Sequence, residues 1–199
     1  LANAYLRLRR LDEADEWYRR ALRATDAPPR GDWHIGLGLI ASQRGDFATA
    51  QARFERAVAA DPSSARAHHN LGLALLSRNQ LDEADAAFVA ATERDRDIAP
   101  AYFARGRIAM RRRNWARALP LLERAISGQP QEASYLYALS QVQFRLQMSE
   151  AGRRSLARFR QARARFFYEE GHALLSRSAW KDALGWLGRA LALEPALTE

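Results

Sequence analysis

The stretch LGLALLSRNQLDEADAAF, residues 71–88, places Leu71, Gly72, Leu75, Ala84 and Phe88 at fixed spacings. Nearly the same set occurs upstream as Leu37, Gly38, Ala41, Ala50 and Phe54, each 34 residues earlier. Five matches in one frame call for a structural unit copied along the chain. With Gly31 as position 1, units begin at Gly31, Ala65, Ala99 and Ala133, and a further one at Ala164, three residues early. A partial unit precedes them, carried by Leu1, Tyr5, Ala14, Tyr18 and Ala21. Two extra residues near Pro28 and Pro29 separate it from the next unit.

Each unit holds two helical patterns. Apolar or small residues at positions 4, 7, 8 and 11 form one face of a first helix. Position 8 is Gly38, Gly72, Gly106, Ser140 and Gly171 in successive units. In the second pattern position 20 is small and position 24 large: Ala50/Phe54, Ala84/Phe88, Ala118/Leu122, Gly152/Leu156 and Ala183/Leu187. Small against large lets two helices approach closely and interlock. Position 17 is bulky in most units, as Leu11, Phe47, Leu81, Trp115 and Trp180. Pro62, Pro130 and Pro195 at position 32 stop the second helix, because the ring lacks an N–H.

A 34-residue helix–turn–helix with Leu-Gly at positions 7 and 8, Ala at 20 and 27, an aromatic at 24 and Pro at 32 resembles the tetratricopeptide repeat. The resemblance covers essentially the whole chain. It implies an all-α fold, a right-handed α-solenoid of antiparallel helix pairs. The frame divides 1–199 into a single array: a partial repeat over 1–30, matched repeats over 31–64, 65–98 and 99–132, a degenerate repeat over 133–163, and a last repeat over 164–199. Departures from the family pattern are local. Position 4, often Trp in the family, is His34, His68, Tyr102, Leu136 and Phe167, and position 32 is Arg96 in one unit. The junction RQARARFF, residues 160–167, contains no Gly, Pro or Asn. That spacing predicts an abnormally tight turn or a nearly continuous helix there, with the array bent.

Composition narrows the chemistry. No apolar run approaches the roughly 20 residues of a membrane span. With no cysteine, thiol nucleophiles and thiolate metal sites are excluded. His34 and His68 share position 4, a packing slot, while His69 and His172 fall in different units and cannot share an ion in a straight array. The acidic pairs Asp12-Glu13 and Asp82-Glu83 sit in the first turn of second helices, where they complement the helix dipole. No nucleophile, cofactor loop or metal site is evident, so the reading is a non-enzyme that needs no cofactor. Residue 1 is Leu inside a patterned segment, so the chain reads as a piece of a larger protein whose compartment is not visible.

The resemblance also implies a groove lined by positions 2, 5, 9, 12 and 13 of the first helices. In the unit from Gly31 these are Asp32, Ile35, Leu39, Ser42 and Gln43. In the unit from Ala65 they include His69, Leu73 and Leu76, and in the last unit Arg165, Tyr168 and His172. The units from Ala99 and Ala133 are richest, with Phe103, Arg107, Met110 and Arg111 in one and Tyr137, Gln141, Phe144 and Arg145 in the other. These eight residues are the expected partner-binding site. Arg interleaved with rings suits an extended, acidic peptide or protein segment. The clamp of chaperone-tail-binding members would fall on Ile35, Leu39, Asn70, Pro100 and Ala104, and only Asn70 fits, so that role is rejected.

Charge is uneven. The chain carries a net +8, yet residues 99–165 hold 14 Arg against Glu123, Glu132 and Glu150. The preferred reading is an interaction scaffold. The alternatives are a targeting or substrate-recruiting arm of a larger enzyme or secretion machine, and nucleic-acid binding through the basic block. Because residues 196–199 are too short for a polar end helix, end-to-end self-association is expected as well.

Overall fold

The turn inside each unit shows the repeat most sharply. Arg9, Gly45, Asn79, Arg113, Gln147 and Ser178 all take positive φ, between 55° and 80°. They follow one another at steps of 36, 34, 34, 34 and 31 residues. In every case the next residue donates its backbone N–H to the carbonyl five residues back, from Arg10 to Tyr5 (2.9 Å) through Ala179 to Leu174 (3.0 Å). This is the left-handed closure that satisfies the last carbonyls of a helix and reverses the chain. Only Gly45 and Asn79 are residue types that favour it. The other four carry left-handed backbone strain of about 1 kcal/mol each, held by the packing on both sides.

The structure is a computed structural model and describes residues 1–23 and 31–194. The two extra residues near Pro28 and Pro29, the stop at Pro195 and the short end at 196–199 lie outside the described residues. Among the described residues there are eleven helices and no strand: α1 (Ala2–Arg7), α2 (Leu11–Arg23), α3 (Gly31–Gln43), α4 (Phe47–Ala60), α5 (Ala65–Ser77), α6 (Leu81–Arg94), α7 (Ala99–Arg111), α8 (Trp115–Gly128), α9 (Ala133–Arg145), α10 (Ser149–Leu175) and α11 (Trp180–Leu193). First helices start at residues 31, 65, 99 and 133, where the sequence frame puts them. Helices α4 and α8 end two residues before Pro62 and Pro130. The acidic pairs at 12–13 and 82–83 do occupy the first turns of α2 and α6.

The chain divides into two compact units, Leu1–Ile108 and Ala109–Glu199. In the first, three rings fill the gaps between helices. Tyr18 lies over Gly36, Phe54 over Gly38 and Phe88 over Gly72. A methyl on Gly72 would stand 2.7 Å from the Phe88 ring, closer than real side chains come. Phe54 and Phe88 are fully buried, each contributing about 1.5–3 kcal/mol of apolar burial. His34 and His68 are buried beside them, as position 4 predicts. The His68 Nε2 lies 3.1 Å from the Pro62 carbonyl, and His69 packs 5.6 Å from the Phe88 ring.

In the second unit the same contact recurs as Gly171 under Leu187. The junction at 160–167 resolves as unbroken helix. Helix α10 runs 27 residues and packs on α9 with its first half and on α11 with its second. Its buried side rotates accordingly, from Gly152 and Ser155 to Ala164, Phe167 and Gly171. Ser155 Oγ donates to Gln143 Oε1 at 2.8 Å to fasten the first half. Nothing between residues 153 and 170 breaks a helix, and three fewer residues leave no slack for a loop.

Two outcomes follow from this packing. Gly72→Ala should destabilise the protein by about 1–2 kcal/mol, since overpacking under a ring outweighs the helix propensity gained. Gly188→Ala, where an added methyl meets nothing within 4 Å, should instead stabilise it by up to about 1 kcal/mol. Urea denaturation of both variants checks the pair. Burial also holds His69 below the ordinary imidazole value of 6.5, and burial with Arg53 and Arg56 nearby does so for His34. The unfolded chain therefore takes up these protons first, and stability should fall as pH drops below about 6.5. Replacing both with Gln should flatten the urea midpoint between pH 7.5 and 5.5 relative to the parent.

Candidate functional site

Helix α9 is buried almost all round. Tyr135, Leu136, Ala138, Leu139, Ser140, Val142 and Gln143 face inward. The exposed residues form one stripe at helical spacing: Ser134, Tyr137, Gln141, Phe144 and Arg145. Tyr137 and Phe144 are 45% and 42% exposed, so two rings stand half in water on a helix that is otherwise core. Each is braced from behind by α10. The Tyr137 ring lies 5.1 Å from that of Phe159, and Phe144 lies against Gly152, where no side chain intervenes. Ser140 Oγ donates to the Tyr137 carbonyl at 2.7 Å, within the same turn. The rings are thus fixed by packing rather than splayed into solvent.

Phe144, Arg145 and Gln141 line a cavity of about 310 Å³ with Met110 of α7 and Trp115 of α8. The guanidinium of Arg145 sits 5.7 Å above the Trp115 ring, which fixes its planar fork at the cavity edge. In the sequence frame Trp115 is the bulky residue of position 17. No spacing in the sequence signals its contact with Arg145, thirty residues on, or its place in the cavity. Arg111, the last residue of α7, is exposed and belongs to the same unit.

Other expected residues fall elsewhere. Phe103 and Arg107 belong to the first compact unit, where the Arg107 guanidinium stands 5.8 Å over the Phe103 ring. Ile35, expected to line a groove, is buried in the core at 1% exposure against Ala50 and Phe54, so position 5 is inward there. His69 likewise packs on Phe88 with its Nδ1 buried. Of the chaperone-clamp positions, Ile35, Asn70 and Ala104 are all buried.

Among the described residues, no group of three or more His, Asp or Glu converges as a metal site would need, and no helix is long and apolar enough to cross a membrane. The open apolar side chains on α11 are Trp180, Leu184 and Leu191.

Two tetratricopeptide repeat models match the chain, one over residues 35–100 and 103–153 and the other over residues 1–63. No curated protein matches its sequence. Among solved structures, it resembles Pseudomonas aeruginosa PilF at 20% identity and a TM-score of 0.75, over 98% of this chain and 89% of that one. It also resembles YrrB, described as a TPR protein with an unusual peptide-binding site, at 20% identity and TM-score 0.65, covering 89% and 92%. The first TPR of Spaghetti (RPAP3), bound to the HSP90 peptide SRMEEVD, matches at 18% identity and TM-score 0.57, over 59% of this chain and 93% of that one. These structural likenesses show the fold. With the family models matching more than half its length, the repeated small–large helix pair of this chain is that of the tetratricopeptide repeat, and the chain belongs to that family.

Proposed function

We propose that this chain is a non-catalytic interaction scaffold, one array of repeats in the frame given above, and that its second compact unit captures an extended acidic segment of a partner protein. One observation carries the reading: helix α9 is core except for a stripe that runs from Ser134 through two braced rings, an amide and an arginine. Two half-exposed aromatics beside a cavity of about 310 Å³ are what a peptide's apolar side chains would cover. Arg145, held over Trp115, and Arg111 offer forked donors to its carboxylates. The fold neighbours add support, since YrrB and the RPAP3 repeat are described as peptide-binding, the latter with a peptide containing two Glu and one Asp. The pair Phe103–Arg107 provides the same chemistry in the first unit. Self-association through α11 is a second part of the proposal, because Trp180, Leu184 and Leu191 stand open. A concentration-dependent sedimentation coefficient supports it, and an unchanging monomer removes it.

Selection of random 12-residue peptides on the purified chain tests the main reading. Enriched sequences should combine Asp or Glu with aromatic or large aliphatic residues. Their affinity should fall about tenfold or more in Phe144→Ala and in the Arg111→Ala, Arg145→Ala double variant, with helical content unchanged, as for central contacts of an interface. No enrichment, or equal binding by the variants, would place the interaction surface elsewhere.

A further inference from the structure

The fusion of two helices into α10 changes what the outer surface of the second unit presents. Had a turn followed residue 160, the arginines of one helix and the polar residues of the next would lie on separate elements. In the continuous helix, Arg154, Arg158, Gln161, Arg165, Tyr168 and His172 succeed each other at steps of four, three, four, three and four residues. That spacing puts all six on one face, a stripe about 27 Å long. All six are exposed, and neither α9 nor α11 covers them.

The charge on this helix is poorly compensated. Among the described residues, Arg153, Arg154 and Arg160 meet no carboxylate, hydrogen-bond acceptor or ring. Arg158 donates from Nη2 to the Pro130 carbonyl at 3.0 Å, a neutral acceptor that orients the guanidinium without neutralising it. Arg163 lies 4.8 Å over the Phe167 ring. Arg165 alone has an anion, Glu169 at 3.0 Å, in a pair where both side chains are more than 60% exposed and therefore exchange readily with solvent or a ligand. Glu150 lies one turn before Arg154, at the end of the stripe, and Glu170 points off it.

Shape and ring chemistry add two independent observations. A cavity of about 300 Å³ opens along the stripe, lined by Arg158, Gln161 and Arg165 with Pro130, Gln131 and Leu136. It contains two forked cations, two amides and no acid. Further along, the Tyr168 and His172 rings lie 4.4 Å apart and form a half-open aromatic platform.

We propose that this face of α10 binds single-stranded nucleic acid. The arginines would follow the phosphates, the cavity at Gln161 would take a base edge, and Tyr168 with His172 would stack a base. An acidic protein could satisfy the arginines, but this stripe offers its apolar side chains no hydrocarbon surface like that of Phe144 and Met110 beside α9; both rings here carry polar atoms and stand in line with an amide-lined cavity, which suits a base. The inference does not rest on the peptide reading, which uses α9 and the cavity at Trp115.

The test is fluorescence anisotropy with labelled twelve-nucleotide oligouridine RNA and the full chain. Binding should be measurable at 50 mM KCl and fall steeply by 200 mM. Three phosphate contacts predict a slope of about −2 for log affinity against log salt. Arg154→Gln, Arg158→Gln and Arg165→Gln together should lower affinity about tenfold or more at 50 mM KCl and bring the slope near zero. Tyr168→Ala should cost about fivefold or more while leaving the slope unchanged, which a purely structural side chain would not do. Arg7→Gln, Arg20→Gln and Arg23→Gln together remove the same charge from α1 and α2 and should leave affinity and slope as in the parent. Absence of RNA binding at 50 mM KCl overturns the proposal, as does a triple variant at 154, 158 and 165 that binds like the parent. Equal binding of a twelve-residue polyglutamate peptide overturns it in favour of an acidic protein partner.

Discussion

The contact between a residue without a side chain on one helix and a large side chain on the next sets the geometry of everything else. Gly38 receives Phe54, Gly72 receives Phe88 and Gly171 receives Leu187. Glycine within a helix costs about 1 kcal/mol of propensity, so its use there must be offset by what it admits. What it admits is the full burial of a ring and a close approach of two backbones. Once that approach is fixed, the buried side of each first helix is fixed too, and so is the narrow strip left to solvent. The exposed stripe on α9 is the remainder of this packing.

The unit from Ala133 shows the constraint being met differently. Position 8 is Ser140, buried at 1%, with its hydroxyl returned to the Tyr137 carbonyl. The small residue moves to Gly152 on the second helix, and the ring that covers it, Phe144, comes from the first. The inversion leaves Phe144 half exposed, whereas Phe54 and Phe88 are wholly buried. A packing ring is thereby turned into part of a surface. In the same unit the lost loop extends α10, so one helix serves α9 on one side and α11 on the other.

The repeat was legible because its signal is periodic: first helices begin at 31, 65, 99 and 133, as the spacing of Gly and Ala requires. The turns were less so. Arg113, Gln147 and Ser178 adopt a conformation that their side chains disfavour, imposed by the helices they join. Pro120 sits in the sixth place of α8, where propensity argues against helix, yet neighbouring contacts carry the helix past it. Ile35 holds a position that faces a groove in the family pattern but is drawn inward against Phe54. The candidate site was half legible. Tyr137, Gln141, Phe144 and Arg145 do share one open stripe, because helical spacing determines a face. Trp115 was not legible as part of the site, because its partner Arg145 comes from the following helix, thirty residues on, and no local pattern reports that contact.

The continuity of α10 decides which residues share a surface in the second unit. It can be measured directly by a distance between spin labels at Arg154→Cys and His172→Cys, both exposed, in a chain with no other cysteine. A single helix places these backbones about 27 Å apart. A helical hairpin with a turn near residue 162 would bring them to about 10 Å. A narrow distribution near the longer distance is the result this account requires. A population centred near the shorter one would return the chain to an ordinary repeat and contradict it.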